Sequence, residues 1–247
     1  MLNGKTAVIT GCLQGIGRCT MDLFASNNAS VFACCQYETE EFSRHIAEIS
    51  GKLGVEIIPV YFDMSDNAAI KSAAIEIQKK KKSIDVLVNI AGINKDALFQ
   101  MVTYDDLQAT FQVNFFSQII FSQYIVKLMQ KNNGGGSIIN TASISGLDGN
   151  KGQLAYAASK SALVAATKTM AVELGEKRIR VNAIAPGVID TNMTSALASD
   201  VTAKKINRSK LKRKGLPEEV ASTILFLASD MSEHITGQVI RIDGGIA

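Results

Sequence analysis

Two patterns of apolar and polar residues alternate along this chain. Seven short runs rich in β-branched or apolar residues, each bounded by turn residues, predict strands at 6–10, 30–35, 56–61, 86–90, 137–141, 180–184 and 239–242. Longer segments with helical spacing lie between them and predict helices at 16–26, 42–53, 68–80, 107–131, 155–175 and 218–228. Strands that alternate with helices predict an α/β fold, in which a doubly wound parallel sheet of about seven strands has helices on both faces.

Nothing in the chain indicates a division into separate domains. Its 247 residues are a length that one α/β domain can use. Proline occurs only at Pro59, Pro186 and Pro217, and the sequence has no linker rich in Ser, Gly or Pro and no internal repeat. We therefore expect one three-layer α/β/α domain over residues 1–247.

Composition and charge argue against several classes of function. No apolar run approaches the roughly 20 residues that cross a bilayer, and the N-terminal segment lacks the pattern of a secretory signal, so we expect a cytoplasmic protein without membrane contact. A net charge of +3 does not indicate nucleic-acid binding. The cysteines match no metal spacing, and we expect reduced thiols and no metal site at Cys12, Cys19, Cys34 and Cys35.

A glycine-rich turn follows the first predicted strand and precedes the first predicted helix. It reads Thr10-Gly11-Cys12-Leu13-Gln14-Gly15-Ile16-Gly17. Glycines permit a tight turn and a close approach of the backbone, and the free amides of a helix N-terminus attract a pyrophosphate. Such a cluster can also be only a turn, but its place between strand and helix favours a dinucleotide site. We expect the cofactor to contact Gly11, Gln14, Gly15, Ile16 and Gly17.

The second predicted strand bears on the choice between NAD and NADP. It ends before Gln36, near the position where NAD-specific folds carry an acid for the ribose hydroxyls. Because no acid stands there, we expect Gln36 to contact NADP, with NAD as the alternative. Arg18 is the nearest candidate cation for the 2′-phosphate of NADP.

The third and fourth predicted strands also end in candidate cofactor contacts. Asp63 follows the third strand, and Asn89, Ala91 and Gly92 mark the turn after the fourth, where the chain could pass close to adenine and ribose. Both groups have structural alternatives. Asp63 could cap the helix that begins near Asp66, and Asn89 could bridge neighbouring strands.

A serine, a tyrosine and a lysine supply candidate chemistry. Ser143 lies just beyond the fifth predicted strand, and Tyr156 and Lys160 are spaced so that they share one face of a helix. A nearby ammonium favours phenolate, so we expect Lys160 to lower the pKa of Tyr156 towards the working range. Ser143 could then hold a substrate oxygen while Tyr156 gives it a proton and a nicotinamide delivers hydride to the carbonyl carbon.

The tyrosine and lysine have a simpler interpretation when they are taken alone. In most helices such a pair lies at the surface, with the hydroxyl and the ammonium in water. The glycine turn upstream and the serine at a strand end make the functional interpretation the more specific one.

These motifs stand in the order of a known family. The whole chain resembles the short-chain dehydrogenase/reductases in Thr10-Gly11-x3-Gly15-x-Gly17, Asn89-x-Ala91-Gly92, Asn114, Ser143, Tyr156-x3-Lys160, Asn182 and Pro186-Gly187. Within that family it is most similar to the 3-oxoacyl-[acyl-carrier-protein] reductases of fatty acid biosynthesis, through Asn89-Ile90-Ala91-Gly92-Ile93-Asn94-Lys95-Asp96 and Asp243-Gly244-Gly245, among other segments. The resemblance implies a Rossmann fold and NAD(P)-dependent oxidoreductase activity.

The resemblance also implies roles for individual residues. The catalytic tetrad would be Asn114, Ser143, Tyr156 and Lys160. Asn114 would kink its helix around a water that relays protons to Lys160, and Lys160 would also bind the nicotinamide ribose together with Tyr156. The nicotinamide pocket would be lined by Pro186, Gly187 and Ile189. A substrate lid would lie near residues 190–214, and the protein would be a homotetramer.

Three positions depart from the family pattern, and the predicted lid carries a cluster of cations that could contact the substrate. Gln14 stands where NADP-dependent relatives often carry arginine or lysine, and Lys127 and Val172 replace two arginines of the carrier-protein surface. A basic cluster in the lid, defined as Lys204, Lys205, Arg208, Lys210, Lys212, Arg213 and Lys214, is either a solvated surface or a contact for an anionic partner.

Three functions remain open from the sequence. The first is reduction of a 3-oxoacyl thioester carried by acyl carrier protein or coenzyme A. The second is oxidation of a small-molecule alcohol, sugar or polyol by the same chemistry. The third is nucleotide sensing without catalysis, which the presence of both Tyr156 and Lys160 disfavours.

Overall fold

Seven parallel strands form one sheet in the part of this computed structural model that is described, residues 1–80, 82–131, 135–195 and 206–246. The strands are β1 (Thr6–Thr10), β2 (Ser30–Cys35), β3 (Ile57–Tyr61), β4 (Val86–Asn89), β5 (Gly136–Thr141), β6 (Ile179–Pro186) and β7 (Val239–Ile242). Their order across the sheet is β3-β2-β1-β4-β5-β6-β7. The strand order reverses between β1 and β4, which is where open α/β sheets bind ligands.

Helices cover both faces of this sheet. The α-helices of the described residues are α1 (Gly15–Ser26), α2 (Glu40–Leu53), α3 (Asn67–Lys79), α4 (Tyr104–Phe111), α5 (Ser117–Met129), α6 (Ile144–Asp148), α7 (Leu154–Leu174), α8 (Asn192–Ser195) and α9 (Pro217–Ala228). A π-helical turn, Gln112–Phe116, joins α4 to α5. Single 3₁₀ turns lie at Phe99–Met101, Gly175–Lys177 and Asp230–Ser232.

The strands are apolar along their whole length because both of their faces are buried. In β1, Ala7 and Ile9 pack in one core with Phe24 of α1, and Val8 packs in the other core with Phe121 of α5. The first core is completed by α2 and α9, and the second by α3 and α7. Burial on both faces is typical of parallel sheets and explains why the strands show runs of apolar residues instead of strict alternation.

The doubly wound parallel sheet predicted from the sequence is confirmed, but one predicted helix differs. The segment 107–131 is divided into α4, the π-helical turn and α5. The first of these helices begins earlier than predicted because the hydroxyl of Thr103 accepts a hydrogen bond from the Asp106 amide at 3.1 Å and caps it. Helix α6 was not predicted, since its five residues are too few to show a helical period.

The predicted substrate lid at 190–214 is described only in part. Residues 196–205 lie outside the described residues, and so do Lys204 and Lys205 of the basic cluster. Of the remaining lid residues, Asn192–Ser195 form α8. Across the described ranges, no helix is both long enough and apolar enough to pass through a bilayer.

Gly146 of α6, where this helix packs against α7, tests how closely the two helices must approach. An ideal Cβ on Gly146 would lie 2.8 Å from the Cβ of Lys160 and 2.9 Å from its carbonyl carbon. We expect Gly146→Ala to lower the free energy of unfolding by about 1–3 kcal/mol, because the added methyl group must push the helices apart. Urea denaturation measures this change.

The matched control is Gly51→Ala in α2, where an added Cβ meets nothing within 4 Å. This variant should raise the free energy of unfolding by about 0.5–1 kcal/mol, because alanine restricts the unfolded chain more than glycine does. Equal stabilities of the two variants would contradict the close contact at Gly146.

Candidate active site

The carboxyl ends of the central strands open onto a cleft of about 390 Å³. Three of the predicted catalytic residues line this cleft, namely Ser143, Tyr156 and Lys160. The predicted cofactor contacts that also line it are Gly11, Gln14, Gly15, Ile16, Gly17, Gln36, Asp63, Ala91, Gly92, Pro186, Gly187 and Ile189. The tertiary structure therefore brings together residues that are far apart in the sequence.

The glycine turn after β1 has the shape that a pyrophosphate requires. Gly11 and Gly15 have φ angles of +78° and +57°, a backbone conformation that favours glycine. A Cβ on Gly17 would lie 2.0 Å from the carbonyl oxygen of Gly11, so no larger residue fits there. Gln14 stands at the N-cap of α1 without capping it by its side chain. The amides of the first turn are thus oriented to bind a phosphate, and the turn fits a dinucleotide.

Thr10, which the sequence analysis named in the motif without a role of its own, holds this turn against the end of β4. The hydroxyl oxygen of Thr10 accepts hydrogen bonds from the amides of Ile90 and Ala91, at 2.9 and 3.1 Å. A Cβ on Gly11 would lie only 3.1 Å from the Ala91 amide nitrogen. Thr10 could have been found by its place at the carboxyl end of a strand that precedes the glycine turn.

Asn89 does not line the cleft, contrary to the prediction. Its side chain is fully buried, and its amide nitrogen donates hydrogen bonds at 2.9 Å to Oδ1 of Asn140 in β5 and to the hydroxyl of Ser122 in α5. The structural alternative was correct: Asn89 bridges neighbouring elements. The physical reason is that alternate strand residues face opposite sides of the sheet, and Asn89 faces α5 instead of the cleft.

Gln36 and Asp63 meet at the end of the cleft formed by β2 and β3. The amide of Gln36 donates to the Asp63 carboxylate at 3.0 Å, and the backbone amide of Ser65 donates to the same carboxylate at 2.7 Å. These hydrogen bonds, the one from Ser65 first, hold the pKa of Asp63 below its usual value. Asp63 does not cap α3, because Asp66 accepts the hydrogen bond from the Ala68 amide and takes that role.

Arg18 is not available to a 2′-phosphate in this conformation. Its guanidinium donates to the Glu41 carboxylate at 3.0 Å and to the Leu13 carbonyl at 3.0 Å. It also lies 5.0 Å from the centroid of the Phe42 ring. Arg18 itself does not line the cleft, where this end is formed by Gln36, Tyr37 and the Asp63 carboxylate, and a contact of Arg18 with a 2′-phosphate stays a prediction.

Ser143, Tyr156 and Lys160 are placed by the starts of two helices. Ser143 is the N-cap of α6, where its hydroxyl accepts a hydrogen bond from the Ser145 amide at 3.2 Å. Tyr156 lies in the first turn of α7, and Lys160 lies one turn later and donates to the Thr141 carbonyl at 2.7 Å. Lys160 is 2% exposed. The surface alternative for this pair is therefore wrong.

The pKa of Tyr156 is shifted in the direction opposite to the one predicted. Burial raises it above its usual value, a hydrogen bond with Ser143 offsets part of this effect, and the charge of Asp96 raises it further. The Lys160 ammonium lies 5.7 Å from the centroid of the tyrosine ring. Burial also lowers the pKa of Lys160 to about 8, so that the lysine is itself partly neutral near that pH.

Asn114 lies behind the cleft, in the π-helical turn between α4 and α5. The turn is the distortion that the family resemblance implied, and π-helical turns occur frequently at functional sites. The Asn114 carboxamide exchanges two hydrogen bonds with the backbone of Ile93, at 2.8 and 2.9 Å, and donates to the Ser159 hydroxyl at 3.1 Å. Asn114 does not itself line the cleft, and its role in a proton relay stays a prediction.

Gly92 brings Asn114 close to Lys160. A Cβ on this glycine would lie 3.1 Å from Oδ1 of Asn114 and 3.5 Å from Nζ of Lys160. Two polar side chains therefore converge on a position where the backbone carries no side chain. This arrangement accounts for glycine at that position in the turn after β4.

Two further polar residues of the cleft were not found from the sequence. The hydroxyl of Ser145 donates to Oε1 of Gln153 at 2.9 Å, and both residues line the cleft. Both are more than nine-tenths buried. The sequence signal is their position, since Gln153 stands three residues before Tyr156 and Ser145 stands two residues after Ser143.

The cysteines are free thiols, as expected. Burial raises the pKa of Cys35 to about 12 and that of Cys19 to about 11, and it raises the values of Cys12 and Cys34 as well. In the part of the chain that the structure describes, no group of three or more His, Cys, Asp or Glu residues could hold a metal ion.

Comparisons with known proteins find similarity over nearly the whole chain. The family model described as Enoyl-(Acyl carrier protein) reductase matches residues 11–247. The 3-oxoacyl-[acyl-carrier-protein] reductase FabG of Thermotoga maritima is 43% identical over 245 residues, which cover 99% of this chain and 98% of that protein. The protein of the same name from Aquifex aeolicus is 36% identical over 246 residues, with the same coverage of 99% and 98%.

A solved structure is similar as well. It comes from Beutenbergia cavernae and is described as a candidate NAD(P)-dependent gluconate 5-dehydrogenase with NADP bound at low occupancy. The two chains superpose with a TM-score of 0.92 at 34% sequence identity, over 99% of this chain and 97% of that one.

The buried lysine gives a prediction about stability and pH. Between pH 8 and its ordinary pKa of 10.5, Lys160 is protonated in the unfolded chain and neutral in the folded one. The amount by which Lys160 lowers the free energy of unfolding therefore decreases as pH rises through this window. We expect Lys160→Met to raise the free energy of unfolding by about 1–3 kcal/mol at pH 7, after allowance for the lost hydrogen bond to Thr141. The gain should shrink by pH 10.

Urea denaturation of both proteins at pH 7 and pH 10 measures this difference. Lys168→Met in the same helix, at an exposed position, is the control and should show little dependence on pH. A stability gain that is equal at the two pH values would contradict the burial of an ionised lysine.

The absence of a cation among the side chains that line the cleft at Gln36, Tyr37 and Asp63 gives a prediction about cofactor choice. Gln36→Arg adds a cation near the position expected for a 2′-phosphate. We expect the affinity for NADP⁺ relative to NAD⁺ to rise about tenfold, measured by fluorescence titration. Gln130→Arg adds the same charge to an exposed position outside the cleft lining and should leave the ratio unchanged. An unchanged ratio for Gln36→Arg would contradict the placement of the ribose.

Proposed function

The chain belongs to the short-chain dehydrogenase/reductase family of NAD(P)-dependent oxidoreductases, and we propose that it reduces a 3-oxoacyl thioester to the 3-hydroxyacyl thioester with NADPH. The observation that carries this proposal is the meeting of Ser143, Tyr156 and Lys160 beside the glycine turn in one cleft. The thioester substrate is supported by the names of the Thermotoga and Aquifex relatives.

The chain's own residues account for the handling of the substrate oxygen. Bound NADPH would supply hydride to the carbonyl carbon, and the glycine turn, Gln36, Asp63 and the end of β6 would hold it. Ser143 and Tyr156 both line the cleft, and a carbonyl oxygen placed between their hydroxyls can receive a hydrogen bond from each. This polarises the carbonyl before hydride arrives.

The protonation states of the cleft provide a proton donor for the substrate oxygen. A tyrosine of ordinary pKa is protonated at neutral pH, and burial raises the pKa of Tyr156 further, so the phenol has a proton that it can give to the oxygen as negative charge develops there. Lys160, with a pKa of about 8, can both lose and regain a proton near neutral pH. We propose that Lys160 returns the proton to Tyr156 and that Asn114, one glycine away, positions the water that supplies it.

A second function within the family has support from one observation. The Beutenbergia cavernae structure, with its TM-score of 0.92, carries the name of a sugar-acid dehydrogenase. The same residues would then remove a proton from an alcohol while the oxidised cofactor accepts hydride. The presence of both Tyr156 and Lys160 in the cleft argues against a catalytically inactive nucleotide sensor.

We further propose a cytoplasmic homotetramer formed by one-domain subunits. The surfaces of α7 and of the π-helical turn before α5 support this assembly, because Val172 is 81% exposed and Phe116 is 48% exposed in the single chain. Phe111, Phe115 and Phe116 form a cluster of rings at the π-helical turn. Apolar groups of this kind at the surface of one chain are typical of subunit contacts.

The proposed partner is an acyl group carried by acyl carrier protein or by coenzyme A. Part of the basic cluster is already neutralised, because Arg213 pairs with Glu219 and Lys214 donates to Asp190 at 2.9 Å. Lys210 and Lys212 remain as exposed cations that an acidic carrier or a phosphate could meet.

A substrate panel tests the proposed function. We expect NADPH to be oxidised with 3-oxoacyl thioesters of carrier protein and coenzyme A, and more slowly with ketones derived from sugars, as followed by absorbance of the reduced nicotinamide. Tyr156→Phe should lower kcat by at least about 100-fold, because it removes the proton donor and keeps the ring. Tyr124→Phe on α5 is the matched control.

Two results would contradict the proposal. A preference for sugar acids over every thioester would favour the second function. Full activity of Tyr156→Phe would show that another group donates the proton.

A further inference from the structure

A polar cluster beside the proposed proton donor has no role in the reaction described so far. It consists of Ser145, Asn150 and Gln153, which lie between the start of α6 and the start of α7. Ser145 and Gln153 line the cleft, and their side chains are 8% and 6% exposed. Buried polar groups are usually hydrogen-bonded, so the bonds that these two side chains make, and those that they leave open, decide what they offer to the cleft.

The hydrogen bonds of this cluster fix the orientation of one carboxamide. Oε1 of Gln153 accepts from the Ser145 hydroxyl at 2.9 Å and from the Asn150 amide at 2.6 Å. Both lone pairs of this oxygen are thereby occupied. Within the described residues, neither N–H of the Gln153 amide has a hydrogen-bond partner. The residue thus offers only donors to the cleft.

The cluster is connected directly to the reacting groups. The Ser145 amide donates to the Ser143 hydroxyl at 3.2 Å, and the Ser145 side chain then holds Gln153. Gln153 is the residue immediately before α7 and precedes Tyr156 by three residues, and both residues line the cleft. A substrate whose oxygen lies between Ser143 and Tyr156 therefore has its neighbouring atoms close to Gln153.

We propose that Gln153 determines specificity by donating a hydrogen bond to a second carbonyl oxygen of the substrate, one methylene away from the carbonyl that is reduced. This inference rests on the proposed reduction of 3-oxoacyl thioesters, in which the thioester carbonyl is that second acceptor. The donor amide selects compounds with two carbonyls in 1,3 relation over simple ketones, because a ketone without the second acceptor leaves a buried N–H unpaired.

Ser145 and Asn150 act as positioning residues in this arrangement. They touch the oxygen of Gln153 and keep its nitrogen directed away from them. A free carboxamide would rotate to present either its oxygen or its nitrogen. The two hydrogen bonds remove that freedom, so the specificity depends on three residues of which only one meets the substrate.

The experiment compares two substrates on variants of the full-length protein with NADPH. One substrate is an acetoacetyl thioester of N-acetylcysteamine, and the other is the matched thioether ketone, in which a methylene replaces the thioester carbonyl. We expect Gln153→Leu to lower kcat/KM for the thioester about tenfold, chiefly through KM, and to change kcat/KM for the thioether ketone by less than about twofold. Gln130→Leu, at an exposed position, is the matched control.

A second variant protects the test against a failure to fold. Gln153→Glu keeps the size of the side chain and replaces both donors by an acceptor, so it should lower the preference for the thioester by more than Gln153→Leu does. Thermal unfolding of each variant reports whether the fold is retained.

The outcomes separate the inference from the proposed function. If the wild-type protein reduces neither substrate, the proposed function fails and Gln153 has no such role. If the wild type reduces the thioester and Gln153→Leu lowers kcat/KM equally for both substrates, or for neither, the proposed function stands and the role of Gln153 is refuted. A loss confined to the thioester supports the inference.

Discussion

The hydrogen bond from the Lys160 ammonium to the Thr141 carbonyl fixes the geometry on which the rest of the cleft depends. Its length is 2.7 Å, and it joins α7 to the carboxyl end of β5 inside the protein. A buried ammonium requires an acceptor, and a strand end supplies one because its last carbonyl has no partner strand beyond it. With Lys160 anchored, Tyr156 one turn earlier lies beside Ser143 at the start of α6.

Glycines make this anchoring possible from two sides. Gly146 allows α6 to approach the backbone of Lys160, and Gly92 allows the turn after β4 to approach its ammonium. The π-helical turn between α4 and α5 brings Asn114 to the same place. At Gly146 and Gly92 the absence of a side chain leaves room for Lys160 or Asn114 of a neighbouring element. Close packing in the interior therefore lets the groups of the proposed reaction approach one another.

One physical cause, removal from water, sets the protonation of the two titrating groups. It raises the pKa of Tyr156 and lowers that of Lys160, so burial favours the neutral form of each. A neutral phenol is a proton donor, and a lysine with a pKa of about 8 is able to exchange protons. The burial that destabilises the folded chain at Lys160 is thus the same burial that prepares the cleft for reducing a carbonyl.

The sequence by itself determined the sheet, the place of the glycine turn and most residues of the cleft. These follow from local causes: apolar runs form strands, and parallel strands bring their carboxyl ends to one edge. Only the tertiary structure decided that Asn89 bridges strands, that the Arg18 guanidinium pairs with the Glu41 carboxylate, and that Gln153 presents donors to the cleft. The direction of the Tyr156 pKa shift was decided there as well. Each of these depends on burial and on partners distant in the chain, which local spacing does not encode.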